Sequence, residues 1–410
     1  MIDLRLITFL FYLAILYIAR FLEFWWSVFL GIHEQLTEMV NNGNCDQCEV
    51  RTIIARRKCH DSDYARDLDF IGWHQRFMPL EELRNPRWTL YTMNRDWIYF
   101  IYGHRSMKDY QEVPFVLFQQ FHDAWLVARI SVNQFKNLDK HIEAPKCKMV
   151  YMSNCPRSGT TLCTRMLQGS DNIVALSEPD IFTHLCILRK EDAFSDADFY
   201  ALIRSAFTHL CATFDSSETC IVKTQSNGGI IVPDIVKAMP SVKHVFIHRR
   251  TLPKLLASIE RMFEVDGSAT RLLQFNKFDL PIINPWKRFE PDCWTTMPEA
   301  SDPLDVSFLY YIIPYSRYLK QKEAGIDFFE VVYEDLVSNP EKLIQALFDF
   351  IGTKGDVKAS VARMEEDSQA GSVLSQERLA KVPISELTIE KKKLYNSVCR
   401  KLEIPDSFPV

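Results

Sequence analysis

The sequence predicts an α/β protein: a parallel sheet with helices on both faces, preceded by a hydrophobic amino-terminal helix and a small β-rich region. Three observations carry this. From Cys147 onward short apolar runs alternate with helical ones, the rhythm of a parallel sheet. A strand, a tight polar turn and a helix follow one another over residues 148–167. Residues Leu6–Ile32 are almost wholly apolar. With 410 residues the chain is long enough for one large α/β domain and an accessory region. The expected divisions are 1–32, a membrane anchor; 33–145, an accessory β-rich region; and 146–410, the α/β domain.

The amino-terminal segment is interrupted only by Arg20 and Glu23, three apart and so on one face of a helix, where they offset each other. Its uninterrupted run, Leu6–Ala19, falls short of the ~20 residues that span hydrocarbon. Trp25 and Trp26 follow, rings that favour a membrane interface. No small-residue cleavage site follows the run, which favours a retained anchor over a removed signal; a buried core helix is the plainer alternative. Basic residues flank the run on both sides, so orientation stays open between a Golgi-type single pass and a cytosol-facing attachment. The chain contains no Asn-x-Ser/Thr site, which disfavours a glycosylated lumenal domain.

Between residues 33 and 145 the texture changes. Trp88–Met93 and Trp97–Tyr102 flank Asn94-Arg95-Asp96 and predict a hairpin; Phe115–Phe118 and Ala124–Val132 are read as two further strands. His74, His104 and His122 are expected to be structural. In the main domain, strands are expected at Lys148–Ser153, Thr219–Lys223, Val242–His248 and Phe328–Tyr333. Helices are expected at Thr160–Leu167, Val232–Met239, Leu252–Phe263, Leu304–Ala324 and Pro340–Gly352, the last with Pro at its start and Gly at its end.

Composition excludes several functions. A net charge of −5 argues against a nucleic-acid binder, so any anion site must be local. Cys45-x-x-Cys48 and Cys59-His60 have metal-like spacing but lack a second paired half, so no metal is expected. Eleven cysteines leave at least one unpaired in a monomer, and a disulfide among Cys45, Cys48 and Cys59 would need an oxidising compartment.

The turn Asn154-Cys155-Pro156-Arg157-Ser158-Gly159-Thr160-Thr161 sets backbone N–H groups and a helix start around an anion. Against the nucleotide-binding pattern G-x-x-x-x-G-K-[ST], Gly159 and Thr161 fit, Asn154 replaces the first glycine and Thr160 replaces the lysine. The cation sits at Arg157 instead. The expected fold is therefore a P-loop NTPase-like sheet, with ATP hydrolysis disfavoured by the missing lysine.

Cys155–Leu162 resembles the 5′-phosphosulfate loop of the sulfotransferases, in the Pro-Arg-Ser-Gly-Thr-Thr form of tyrosylprotein-type and many bacterial members. The resemblance continues as ordered short motifs over residues 147–375. It implies sulfuryl transfer from 3′-phosphoadenosine 5′-phosphosulfate, with Pro156, Arg157, Ser158, Gly159, Thr160 and Thr161 around the donor's phosphosulfate. In Phe246–Ser258, Arg250 and Ser258 have the eight-residue separation of the family's 3′-phosphate ligands, and arginine's planar fork suits phosphate. Thr251-Leu252-Pro253 departs from the family's Arg-Asp-Pro, which leaves Arg249 as the alternative. Tyr333-Glu334-Asp335-Leu336 resembles a segment common in these enzymes and is read as scaffold. The glycine-containing segment Asp367–Ser375 is a candidate cover for the nucleotide.

The resemblance also implies catalytic roles for Glu178, Arg157 and Lys223, Arg157 stabilising charge on the sulfuryl and leaving phosphate. Glu178, twenty-one residues after Arg157, corresponds to the glutamate that takes the acceptor's proton, with His184 as the runner-up base. Lys223 corresponds to a lysine that stabilises the bridging oxygen, although Gln225 stands where the family has proline. The partners implied are the nucleotide donor, an acceptor hydroxyl or amine on a glycan, protein or small molecule, and a membrane. The rival readings are a catalytically inactive nucleotide-binding relative and a P-loop kinase or NTPase.

Overall fold

The computed structural model describes residues 4–41, 45–138, 142–266, 286–366 and 387–405, with residues 273 and 368 between them. The segment Asp367–Ser375 lies, but for Ser368, outside the described residues. The chain divides into two compact units. One comprises Met1–Cys147, Pro179–Ser216 and Lys237–Met239; the other comprises Lys148–Glu178, Ser217–Val236 and Pro240–Val410.

The first unit opens with the helix Leu4–Phe29 and a shorter one, Ile32–Asn41. The first is long and apolar enough to cross a membrane, with a mean hydropathy of 1.8. An antiparallel sheet follows in the order β2-β1-β5-β4-β3, built from β1 (Gln47–Arg56), β2 (Phe70–Pro79), β3 (Trp88–Met93), β4 (Trp97–Tyr102) and β5 (Leu126–Ser131). The β3–β4 hairpin forms as its sequence predicts. Asn94 Oδ1 accepts hydrogen bonds of 2.9 Å from the N–H groups of Asp96 and Trp97, closing the turn.

One expected strand is a helix. Phe115–Phe118 enters the helix Val116–Asp123, whose buried residues Val116, Leu117, Gln120 and Phe121 follow the helical period. A short apolar run has no period of its own, and Gln119 and Gln120 extend it into a helical one. Phe121 stacks on Phe70 at 5.6 Å within the core formed with Tyr91, Tyr99 and Val127. β1 and β2 carry no clean alternation because charges sit among their inward positions. Glu49 is buried, accepts from Arg129 and meets His74 Nδ1 at 3.0 Å. Helices Ile181–Lys190 and Asp196–Cys211 also belong to this unit and pack against β3.

The second unit holds a parallel sheet in the order β10-β9-β6-β8-β7. Its strands are β6 (Lys148–Asn154), β7 (Ile173–Ser177), β8 (Thr219–Lys223), β9 (Lys243–His248) and β10 (Phe328–Val332). Strand side chains alternate between faces. Val150, Met152, Val245 and Ile247 meet Cys163, Met166 and Leu167 of the helix Thr160–Leu167 and Leu347 and Phe348 of the helix Pro340–Ile351. On the opposite face Phe246 stacks on Tyr318 of the helix Pro303–Glu323 at 4.0 Å. Both faces are covered, which is the predicted class. The central strand β6 lies where the chain reverses its direction across the sheet, so a crevice is expected beyond its carboxyl end.

Candidate functional site

The predicted site residues of this unit gather at that carboxyl edge. β6 ends on buried Asn154, whose Nδ2 donates to the Thr224 carbonyl at 2.7 Å beyond β8. The N–H of Cys155 donates to the Ile247 carbonyl of β9 at 2.9 Å. These two bonds tie the following turn to both neighbouring strands. Within the turn Arg157 has φ 57° and Gly159 φ 78°, and Thr160 starts the helix. A Cβ at Gly159 would fall within the ring of Tyr333, so glycine is required there on both counts.

Arg157 is a non-glycine residue held in the left-handed region, a conformation that costs about 1–3 kcal/mol and persists where surroundings enforce it. Its Nε donates to Ser258 Oγ at 3.0 Å. The arginine of the first motif and the serine of the second are thus brought together, although 101 residues separate them. Pro156 and Ser158 lie in the same turn; Thr160 and Thr161 are buried in the first helical turn.

β7 ends at Ser177, and the next residue, Glu178, is also left-handed, with φ 60°. Its N–H donates to the Lys223 carbonyl at 2.6 Å, and its carboxylate forms an ion pair with the Lys223 ammonium. The side chain of Lys223 is 2% exposed, so this pairing compensates a charge taken almost wholly out of water. Two of the three residues expected to act in catalysis, Glu178 and Lys223, are therefore direct partners. His184, the runner-up base, belongs to the other unit. Its Nε2 meets Thr92 Oγ1 at 2.9 Å and the Ala65 carbonyl, and its ring packs edge-on against Tyr64. Its observed bonds are those of a structural histidine.

Past β9 the adjacent arginines have different surroundings. Arg250 is 56% exposed and grips Asp335 with both terminal guanidinium nitrogens, at 3.0 and 2.5 Å. Arg249 is 18% exposed, lies over the Tyr333 ring at 4.3 Å and stands 3.7 Å from Glu334. Its Nε is buried without a hydrogen-bond partner. The turn itself is held by Glu334, which accepts from the N–H groups of Arg250 and Thr251 at 3.0 Å each and from Thr251 Oγ1 at 2.8 Å. Burial pushes the Glu334 pKa up, but these hydrogen bonds outweigh it and hold the carboxyl below its ordinary range.

The sequence marks Tyr333-Glu334-Asp335 as scaffold, with nothing to place it near the turn at 154–161. Each of the three residues instead touches the site's surroundings: Tyr333 packs on Gly159, Glu334 fixes the backbone of 250–251, and Asp335 holds Arg250. The parallel pairing of β10 with β9 puts Val332 opposite His248 and carries both motifs to one edge. Adjacency of the two strands was the missing signal, since strand order is not written in motif spacing.

No curated protein matches the chain. Among solved structures, the sulfotransferase domain of the Synechococcus PCC 7002 olefin synthase is 14% identical, covering 61% of this chain and 93% of its own, at a TM-score of 0.32. Sulfotransferase STF9 from Mycobacterium avium is 12% identical over 67% of this chain and 84% of its own, at 0.37. Mouse sulfotransferase SULT7A1, complexed with PAP, is 11% identical over 66% and 89%, at 0.34. The model of the sulfotransferase family matches residues 150–356, just over half of the 410-residue chain, and this chain belongs to the sulfotransferase family.

Proposed function

We propose that the protein transfers a sulfuryl group from 3′-phosphoadenosine 5′-phosphosulfate to a hydroxyl or amine acceptor, and that the donor's anionic groups bind around Arg157 and Ser258. The observation that carries this reading is the 3.0 Å bond between those two residues beside the glycine-bearing helix start. The two belong to different anion-binding motifs, and their meeting gathers donor groups around one small space. The buried Nε of Arg249, 3.7 Å from the Glu334 carboxylate and with no hydrogen bond of its own, is a further donor suited to a phosphate oxygen. With Arg250 engaged by Asp335, Arg249 is the better supported of the two arginines for the 3′-phosphate.

In this reading the acceptor oxygen attacks sulfur in line, and the bond from sulfur to the 5′-phosphate oxygen breaks. Glu178 takes the acceptor's proton, and Lys223, which orients that carboxylate, stands by the oxygen where charge develops. Arg157 and the N–H groups of residues 158–161 stabilise the leaving phosphate. The product is 3′-phosphoadenosine 5′-phosphate. No step calls for a metal. The apolar helix Leu4–Phe29 supports attachment to a membrane, and such attachment favours a glycan or protein acceptor, by analogy in the Golgi.

Arg157→Ala is expected to abolish transfer from labelled donor while thermal unfolding stays cooperative; full activity in this variant would overturn the proposal. The pairing of Glu178 with Lys223 favours one second reading, a nucleotide-binding relative without turnover, because the base is already engaged. Binding of 3′-phosphoadenosine 5′-phosphate without transfer to a broad acceptor panel would support that reading instead.

A further inference from the structure

We propose that the helix Leu4–Phe29 lies in the plane of a membrane surface, sunk into it by one face, and does not cross the bilayer. The proposal depends on neither the donor nor the acceptor of the reaction. Its first support is the way the helix is held. Arg5 Nη1 meets His60 Nε2 at 3.0 Å, and Arg57 donates to Thr8 Oγ1 at 2.6 Å. The Tyr12 hydroxyl donates to the Leu68 carbonyl at 3.1 Å, and Arg20 to the Asp67 carbonyl at 2.8 Å. Glu23 accepts from Arg51 and, at 2.9 Å, from the His74 N–H. Positions 5, 8, 12, 20 and 23 fall on one side of a helix. Phe9, Leu13 and Leu16 are buried along the same side.

These attachments run from residue 5 to residue 23, about 27 Å of helix at 1.5 Å per residue. That is close to the thickness of a bilayer's hydrocarbon. A crossing helix would carry its partners with it, so Arg51, Asp67, Arg57 and irregular backbone near Leu68 would enter the hydrocarbon. Ionised side chains and exposed irregular backbone are excluded from that region unless protein or water surrounds them. Either the helix leaves all these partners, or it stays outside the bilayer core. The whole length of the contact favours the second.

The opposite face is uniform. Among the described residues nineteen large apolar side chains are exposed, and fifteen of them lie within residues 4–30. Leu4, Ile7, Phe11, Ile18, Trp25 and Phe29 form one outward line at spacings of three, four and seven, and no charged residue interrupts it. Such a face needs a cover. A protein partner would want roughly one hydrogen bond per 100–200 Å², and this face offers only the Tyr17 hydroxyl and the indole N–H groups of Trp25 and Trp26. Those groups favour the headgroup level of a bilayer. Arg5 and Arg57, both exposed, stand together at the amino-terminal end of the helix, where they complement anionic phosphates. A helix with one apolar face, a polar opposite side and flanking cations is built for the interface.

The test uses the full chain with a peptide tag ahead of Met1, made in the presence of microsomes. In-plane attachment puts the tag and the globular part on the same side, both cleaved or both protected from added protease. Tag and globular part on opposite sides would overturn the proposal. A second measurement is flotation of the purified chain with vesicles of phosphatidylcholine containing some phosphatidylserine. The variant Phe11→Glu, Ile18→Glu, Trp25→Glu changes only exposed side chains and so keeps the fold. It is expected to lose at least about tenfold in bound fraction. Equal binding by the variant, no binding by the parent chain, or a soluble dimer joined through this face would each overturn it. Neither readout involves sulfuryl transfer.

Discussion

Arg157 and Glu178 are two of only four non-glycine residues with left-handed backbone among the described residues, and both are positions that sequence motifs had marked for chemistry. Strain at such points is kept where surrounding contacts enforce it, and here the enforcing contacts are Ser258 for the first and Lys223 for the second. Their pairing makes a specific prediction. Glu178→Gln leaves the buried Lys223 ammonium without its counter-charge and should destabilise the protein by about 3–5 kcal/mol. Adding Lys223→Met should recover most of that loss in thermal unfolding, while neither variant transfers sulfate. A single variant as stable as the parent would show the pair to be weaker than its burial implies. His244 gives a second prediction. Both its ring nitrogens are buried without partners between Tyr151 and Phe328. Burial pulls its pKa down from 6.5 to about 4. Between those values the unfolded chain takes up a proton that the folded one refuses, so stability falls as pH drops from 6.5 towards 4. His244→Phe should lose that part of the acid sensitivity, measured as the difference in Tm between pH 7 and pH 5. His209, held down by burial in the same way, leaves the remainder. Motif spacing named Arg250 for the 3′-phosphate, yet its guanidinium is committed to Asp335, 85 residues away; spacing along one element cannot report a partner on another.

At the scale of elements, the turn proposed to hold the donor's anion is packed against a segment outside both motifs. Tyr333 closes over Gly159 and carries the Arg249 guanidinium on its ring, so the two turns share one aromatic side chain. Gly159→Ala forces a Cβ into that ring and an alanine into positive φ. The expected cost is roughly 1–3 kcal/mol for the backbone alone, with nucleotide affinity reduced more than tenfold in calorimetry. Unchanged affinity would mean that the turn can open without Tyr333. How far such elements were legible follows from their periods. The helices Thr160–Leu167 and Leu252–Asp266 and the strands β6, β8, β9 and β10 stand where apolar runs and caps put them. β7 is not legible because five residues, Ile173–Ser177, buried throughout, carry no alternation. β1 and β2 are not legible because charged and polar side chains stand among their residues, Glu49 pairing with His74 and Arg129 and Arg51 with Glu23, which erases the apolar pattern. The helix Val116–Asp123 reads as a strand in sequence because the run Phe115–Phe118 that leads into it is wholly apolar.

For the molecule as a whole, the family match and the physical units do not share boundaries. The sulfotransferase family model covers 150–356 without a break, yet Pro179–Ser216 within it belongs to the unit built on the amino-terminal sheet. There Phe182, Leu185, Phe199, Leu202 and Phe207 are buried, and His209 meets the Phe100 ring at 4.7 Å. A fragment beginning at residue 148 keeps every motif but loses β1–β5, the surface on which these two helices pack. Exposing five large side chains at about 1.5–3 kcal/mol each costs on the order of 10 kcal/mol. That is as much as the whole stability of an ordinary domain. The fragment should therefore aggregate or lack a cooperative thermal transition, whereas the full chain unfolds cooperatively in matched detergent. A soluble fragment with a sharp transition and bound 3′-phosphoadenosine 5′-phosphate would show that the helices Ile181–Lys190 and Asp196–Cys211 can leave the sheet. In that case the fragment folds without the amino-terminal sheet, and otherwise that sheet is part of what lets those two helices fold.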